Sequence, residues 1–175
     1  MVTIRRERPS DVAAVDALLR RAFDDDLPAR LARALRAAGL VDPRFTCVAT
    51  DREDLVGQVM FSWLTVHGET TFDALNLTPL AVAPARQGEG IARVLVEHAL
   101  DAIEVERCTP LVVIEGDPRH YARYGFRRAS DAGLERPSPR IPDPAFQFIP
   151  TSGYDAQVHR GAVAYPQPFH DLGLV

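Results

Sequence analysis

The stretch Gln87-Gly88-Glu89-Gly90-Ile91-Ala92 is where residue type and spacing could do chemistry. Two glycines stand between an apolar run, Leu80-Ala81-Val82, and a helical pattern that opens with Ile91, Val94 and Leu95. A strand that ends in glycines at a helix N-terminus aims several unbonded backbone N–H groups at one point. The helix dipole adds partial positive charge there, so the loop suits a phosphate or pyrophosphate.

The common nucleotide loops do not fit. The dinucleotide fingerprint needs a third glycine where Arg93 stands, and no Gly-Lys-Ser/Thr follows to make a nucleoside-triphosphate loop. A glycine turn that merely packs strand on helix is the structural alternative. The totals narrow the partners further. The chain has 175 residues, enough to bury a core as a single domain over residues 1–175 without metal or disulfide staples. Its net charge of −4 argues against nucleic acid, whose proteins carry a basic balance. All 20 basic residues are arginine, so no lysine is present to act as a nucleophile. Cys47 and Cys108 lie far apart with no Cys/His spacing around them, which predicts no metal site and a reducing, cytoplasmic setting. No apolar run is long enough to span a bilayer, so no membrane partner is expected.

The elements that must position the loop follow from periodicity. Met1 to Arg6 reads as a first strand, and Ser10 as the N-cap of a helix carrying Val12, Val15, Leu18, Leu19 and Phe23 on one face. Asp24-Asp25-Asp26 separates it from a second helix, Leu27 to Ala38, closed by Gly39. Phe45–Thr50 and Leu55–Val66 read as a hairpin, and Ala74–Val82 as the next strand. After the loop helix, Pro110–Ile114 is a short apolar run expected of a strand covered on both faces. Asp117 as N-cap and Pro118 as first helical residue start a short helix through Tyr121 and Tyr124 that ends at Gly125. Arg127 to Pro144 reads as a long loop. Ala145–Ile149 and Gly161–Tyr165 read as final strands, the last at an edge because Pro166 and Pro168 follow it. The order β-α-α-β-β-β-α-β-α-β-β, with hairpins and one crossover around the glycines, predicts a mixed sheet in an α/β layer fold.

Gln87-Gly88-Glu89-Gly90-Ile91-Ala92 resembles the Gln/Arg-x-x-Gly-x-Gly/Ala motif of the GNAT superfamily of N-acetyltransferases. Leu80 to Pro84 resembles that family's fourth strand. Gly116 to Phe126 is similar to its second signature, which ends Tyr-x-Arg-x-Gly-Phe, and the tail Ala164 to Phe169 resembles the YhbS-like subgroup. The resemblance implies a GNAT-like mixed, mostly antiparallel sheet flanked by helices. It implies acetyl-CoA as acyl donor, with the amides of Gln87, Gly88, Glu89, Gly90, Ile91 and Ala92 on the pyrophosphate. The strand edge at Leu80 and Val82 would hydrogen-bond the pantetheine arm.

Roles follow from the same resemblance. Tyr121 matches the family's general acid; a phenol with an ordinary pKa near ~10 is a sensible donor to a CoA thiolate. Its structural alternative is an amphipathic ring packed under the cofactor. Tyr124 is expected to pack on the core and His120 to lie on the surface. Members that use a carboxylate base often place it where this chain has Asn76, and an amide cannot take a proton. Glu115, Asp73 and Glu69 are the replacements, Glu115 first because it ends the strand facing the slot; an ordered water would serve as well. Cys47 is expected in the core and Cys108 as a structural thiol. Asp24 to Asp26 could attract an amine or merely cap helices, whereas Arg136 and Arg140 would suit a carboxylate-bearing acceptor. The chain thus reads as an N-acetyltransferase acting directly on a primary amine of a small molecule or protein. A non-catalytic acyl-CoA sensor or scaffold is the alternative, and a homodimer is compatible with either.

Overall fold

The computed structural model describes residues 1–175. Its internal contacts divide the chain into two units, Met1–Ser62 with Thr78–Ala102 and Trp63–Leu77 with Ile103–Val175. Strands β3 (Asp54–His67) and β4 (Thr71–Val82) contribute residues to both.

In the first unit, β1 (Val2–Arg6) lies antiparallel on β2 (Cys47–Asp51), from Val2 opposite Asp51 to Arg6 opposite Cys47. The hairpin β2–β3 forms as the strand-forming residues require, with a register shift between Ala49 and Thr50. Helix α1 (Val12–Ala22) buries Val15, Leu18 and Leu19, the stripe set by its helical spacing. Its start differs from expectation. Ser10 lies inside a 3-10 turn, Pro9–Asp11, and makes no cap; Asp11 accepts the Arg8 N–H at 2.7 Å and the Arg5 guanidinium at 2.6 and 2.9 Å. A carboxylate can take a backbone donor and a guanidinium together, and a hydroxyl cannot match that. Arg5 holds the Asp11 carboxyl below the usual carboxylate range. Asp25 accepts the Leu27 N–H at 2.7 Å, and helix α2 (Leu27–Ala37) closes at Gly39, whose φ of +68° admits the Leu40 N–H to the Leu35 carbonyl.

Helix α3 (Ile91–Glu106) rests on β3 at Gly57. A Cβ there would stand 2.9 Å from Ile91 Cγ2 and 3.0 Å from Leu95 Cδ1, so glycine sets how closely the opening turn of α3 approaches the sheet.

In the second unit, β5 (Leu111–Glu115) runs parallel to β4 at two positions, Leu75 opposite Val112 and Asn76 opposite Val113. It runs antiparallel to β8 (Phe146–Pro150) along its whole length, from Leu111–Pro150 to Glu115–Phe146. The segment expected as one long loop contains two short strands, β6 (Arg127–Arg128) on β8 and β7 (Leu134–Glu135). Strand β9 (Gly161–Ala164) is not at an edge: it pairs antiparallel with Thr65–His67 of β3 and parallel with β7. Pro166 falls just beyond the ladder, so it displaces no hydrogen bond, and it leads into helix α5 (Gln167–Asp171). The hydrogen-bonded strand order is β1-β2-β3-β4-β5-β8-β6 with β9 on β3 and β7 on β9, a mixed and mostly antiparallel sheet. No helix is long and apolar enough to cross a membrane.

Replacing Gly57 with alanine pushes Ile91 and Leu95 off the strand. Gly57→Ala should lower the unfolding free energy by about 1–3 kcal/mol, read from the urea midpoint; an unchanged midpoint would mean that α3 has room to move.

Candidate active site

Between β4 and α3 the chain makes a 3-10 turn at Pro84–Arg86 and then the glycine loop. Gly88 and Gly90 have φ of +82° and +81° with open space where a Cβ would sit, so backbone conformation and not crowding selects glycine. The Gln87 N–H turns back on the Pro84 carbonyl at 3.4 Å, and its side chain donates to the Val82 carbonyl at 3.3 Å. The first helical rung of α3 is Val94 N–H to the Gly90 carbonyl, so the amides of Gly88, Glu89, Gly90, Ile91 and Ala92 are left outside the backbone ladder. Ile91 itself is buried, as is Val82, whereas Leu80 is half-buried. Arg86, passed over in the sequence, braces the loop: its Nε donates to both Glu89 oxygens at 2.8 and 2.9 Å, and Nη1 to Asp51 at 3.1 Å. The arginine three residues before Glu89 was the available signal. The pair neutralises a carboxylate that would otherwise repel an anion at the helix terminus.

In the second unit, α4 (Pro118–Tyr121) starts as its Asp-Pro signal dictates, with Asp117 Oδ1 accepting the Arg119 N–H at 2.9 Å. A 3-10 turn continues it to Gly125, whose φ of +93° ends it. The Tyr121 ring lies so close to the Gly116 Cα that a Cβ there would overlap it. Edge-on contacts with His120 at 4.9 Å and Phe126 at 5.9 Å complete the packing. Burial pushes the Tyr121 phenol up to about 12, above the ordinary value assumed from sequence, so it holds its proton across the physiological range. His120 is not a free surface residue: its ring meets both Tyr121 and Tyr124, and desolvation lowers its pKa, which favours neutral imidazole.

Glu115 ends β5 with its surface open to water, yet desolvation by the surrounding protein raises its carboxyl above the usual range. Parallel pairing places Asn76, Val113 and Glu115 on one face of the sheet. Asn76 is 2% exposed and its Oδ1 has no hydrogen-bond partner. Tyr165 is buried, and desolvation together with the Glu115 charge raises its phenol, so it too stays neutral. The other base candidates are engaged at the surface: Asp73 accepts from Thr65 Oγ1 at 3.1 Å, and Glu69, 88% exposed at its side chain, faces Arg160 at 3.7 Å. Asp25 accepts the N–H of Leu27, the first residue of α2, whereas Asp26 makes no side-chain cap and pairs with Arg20 at 3.3 Å. Arg136 stands 3.5 Å from Asp143. Cys47 is buried in β2, its thiol raised to about 11 by burial, and Cys108 is half-buried.

The fold and these two stretches define an acyltransferase of the GNAT kind. The family model described as an acetyltransferase (GNAT) domain matches residues 3–129, and the chain belongs to that family. It is 41% identical over 132 residues to the uncharacterized N-acetyltransferase YhbS of Escherichia coli K12, covering 75% of this chain and 77% of that protein. The crystal structure of E. coli YhbS in complex with CoA matches with a TM-score of 0.87 and 37% identity, over 97% of this chain and 92% of the other. A GNAT acetyltransferase of Brucella melitensis in complex with acetyl-CoA matches at 0.77 and 28% identity, over 97% and 98%.

A carboxyl whose pKa is raised by folding binds its proton more tightly in the native state. It therefore adds stability below the unfolded value and loses it as pH rises through the folded one. Glu115→Gln, which cannot ionise, should melt above the parent protein at neutral pH, with the difference vanishing near about pH 4. An equal offset at both pH values would show that the surrounding protein does not desolvate the carboxyl.

Proposed function

We propose that the chain, acting as one acyltransferase domain over residues 1–175, transfers acetyl from acetyl-CoA directly to a primary amine. The observation that carries this is the set of amides from Gly88 to Ala92, turned out of the backbone ladder by two left-handed glycines at the start of a 16-residue helix. Such a cradle suits a pyrophosphate. The two relatives crystallised with CoA and with acetyl-CoA support the same ligand here. Gln87, with its own amide and side chain turned inward, shapes this cradle. The edge of β4 at Leu80 and Val82 takes the pantetheine arm as a further strand.

In the transfer, the amine nitrogen bonds to the thioester carbon, the C–S bond breaks, and the thiolate must be protonated while the amine loses a proton. Glu115 is the base. Its raised pKa brings it nearer to the working range than an ordinary surface carboxylate. Tyr121 is the acid. Its phenol is high for a donor, but a thiolate forming in the same desolvated surroundings is made more basic as well, so donor and acceptor shift together. The acceptor is an amine of a small molecule or of a protein. Asn76 in place of a carboxylate is what motivates the alternative, a non-catalytic acyl-CoA module. Membership of an acetyltransferase family and the raised carboxyl of Glu115 put that second. Cys47 and Cys108, neither in a disulfide, suit a cytoplasmic setting.

Release of CoA thiol with a panel of small-molecule and peptide amines tests this. Tyr121→Phe should cut kcat by about 10²–10⁴-fold while CoA affinity is unchanged. Full turnover by the Phe variant would remove Tyr121 from the chemistry, and tight CoA binding with no turnover on any amine would favour the binding module.

A further inference from the structure

We infer that Gln147 is a positioning residue for Tyr121, a role that rests on Tyr121 being the acid. Gln147 lies on β8 between two phenylalanines, Phe146 and Phe148, and is 2% exposed. A buried amide is unfavourable unless its hydrogen bonds are made, so filling space does not account for it. Its Nε2 donates to the Gly116 carbonyl at 3.1 Å, with the Ala145 carbonyl at 3.5 Å. Both neighbours are acceptors, which fixes the amide with its nitrogen toward them. The Gly116 N–H donates to the same Ala145 carbonyl at 2.9 Å, so the backbone of Gly116 is held at both its donor and its acceptor.

That matters because Gly116 is the surface on which the Tyr121 ring rests. From Gly116 onward the turn is short and closed, with the His120 and Tyr121 N–H groups both on the Asp117 carbonyl at 2.9 and 3.2 Å. Gln147 is itself immovable, since its backbone is paired opposite Ile114 on β5 and opposite Arg128 on β6. A rigid strand therefore sets the height of the Gly116 peptide, and that peptide sets the ring.

Two variants test this. Gln147→Met keeps length and shape without the donor. Gln147→Glu keeps a donor only while its buried carboxyl is protonated. The readouts are kcat and KM for acetyl-CoA with an amine that the panel shows to be acetylated, and the NMR shift of the Gly116 Hα protons, which the Tyr121 ring current displaces. Gln147→Met should lose that displacement and about 10–100-fold in kcat, with KM for acetyl-CoA unchanged. Gln147→Glu should show the native Gly116 shift at acid pH and lose it as pH rises, which decides the matter even if the Met variant does not fold. A Gly116 shift that stays native in the Met variant, or is insensitive to pH in the Glu variant, overturns the inference whatever Tyr121 does. Full activity of Tyr121→Phe would instead remove the acid role and leave the Gly116 result standing.

Discussion

A parallel ladder only two rungs long governs the chemistry-bearing half of this protein. Strand β5 meets β4 at Leu75–Val112 and Asn76–Val113 and then goes without it, while β8 continues to hold it through Glu115. One edge is rigid and the other is released. The residues that follow the last rung can therefore be fixed in place and still present a face to something other than protein. Glu115 and Gly116 sit where this happens, and Asp117-Pro118 at once starts the turn that brings Tyr121 back onto Gly116.

The environment around that strand end is low in mobile charge. Tyr121 and Tyr165 are both held neutral by burial, and His120 is moved toward its neutral form. Glu115 is the ionisable carboxyl beside them, and its charge adds to burial in raising the phenol of Tyr165. The glycine loop follows the opposite design. Its one acidic side chain, Glu89, is cancelled by Arg86, and Arg86 is in turn tied to Asp51.

Much of this was legible in the residues. The β2–β3 hairpin, the glycine loop and the Asp117-Pro118 helix start depend on local signals within a few residues, and each appears where those signals fall. What could not be read depends on distant partners. Strands of two residues, β6 and β7, have no periodicity; they exist because β8 and β9 recruit them. Pro166 and Pro168 suggested an edge for β9, but the prolines lie past its last rung and constrain nothing within it. Ser10 had the right chemistry for a cap, but it lies inside the 3-10 turn, where the Asp11 carboxylate takes the Arg8 N–H and the Arg5 guanidinium. His120 stands inside the second signature with no role assigned by it, Arg86 shows only its spacing to Glu89, and Gln147 carries no motif. Their significance comes from a ring, a carboxylate and a carbonyl that folding brings to them.

The open space around Gly88 and Gly90 has a thermodynamic meaning. A loop that needed its ligand to shape it would lose backbone entropy at each binding event. Here the two left-handed turns and the brace from Arg86 are made by the chain's own backbone and side chains, so that ordering belongs to folding. A side chain added at either glycine would meet no neighbour, and its cost would fall on the backbone conformation of the loop itself.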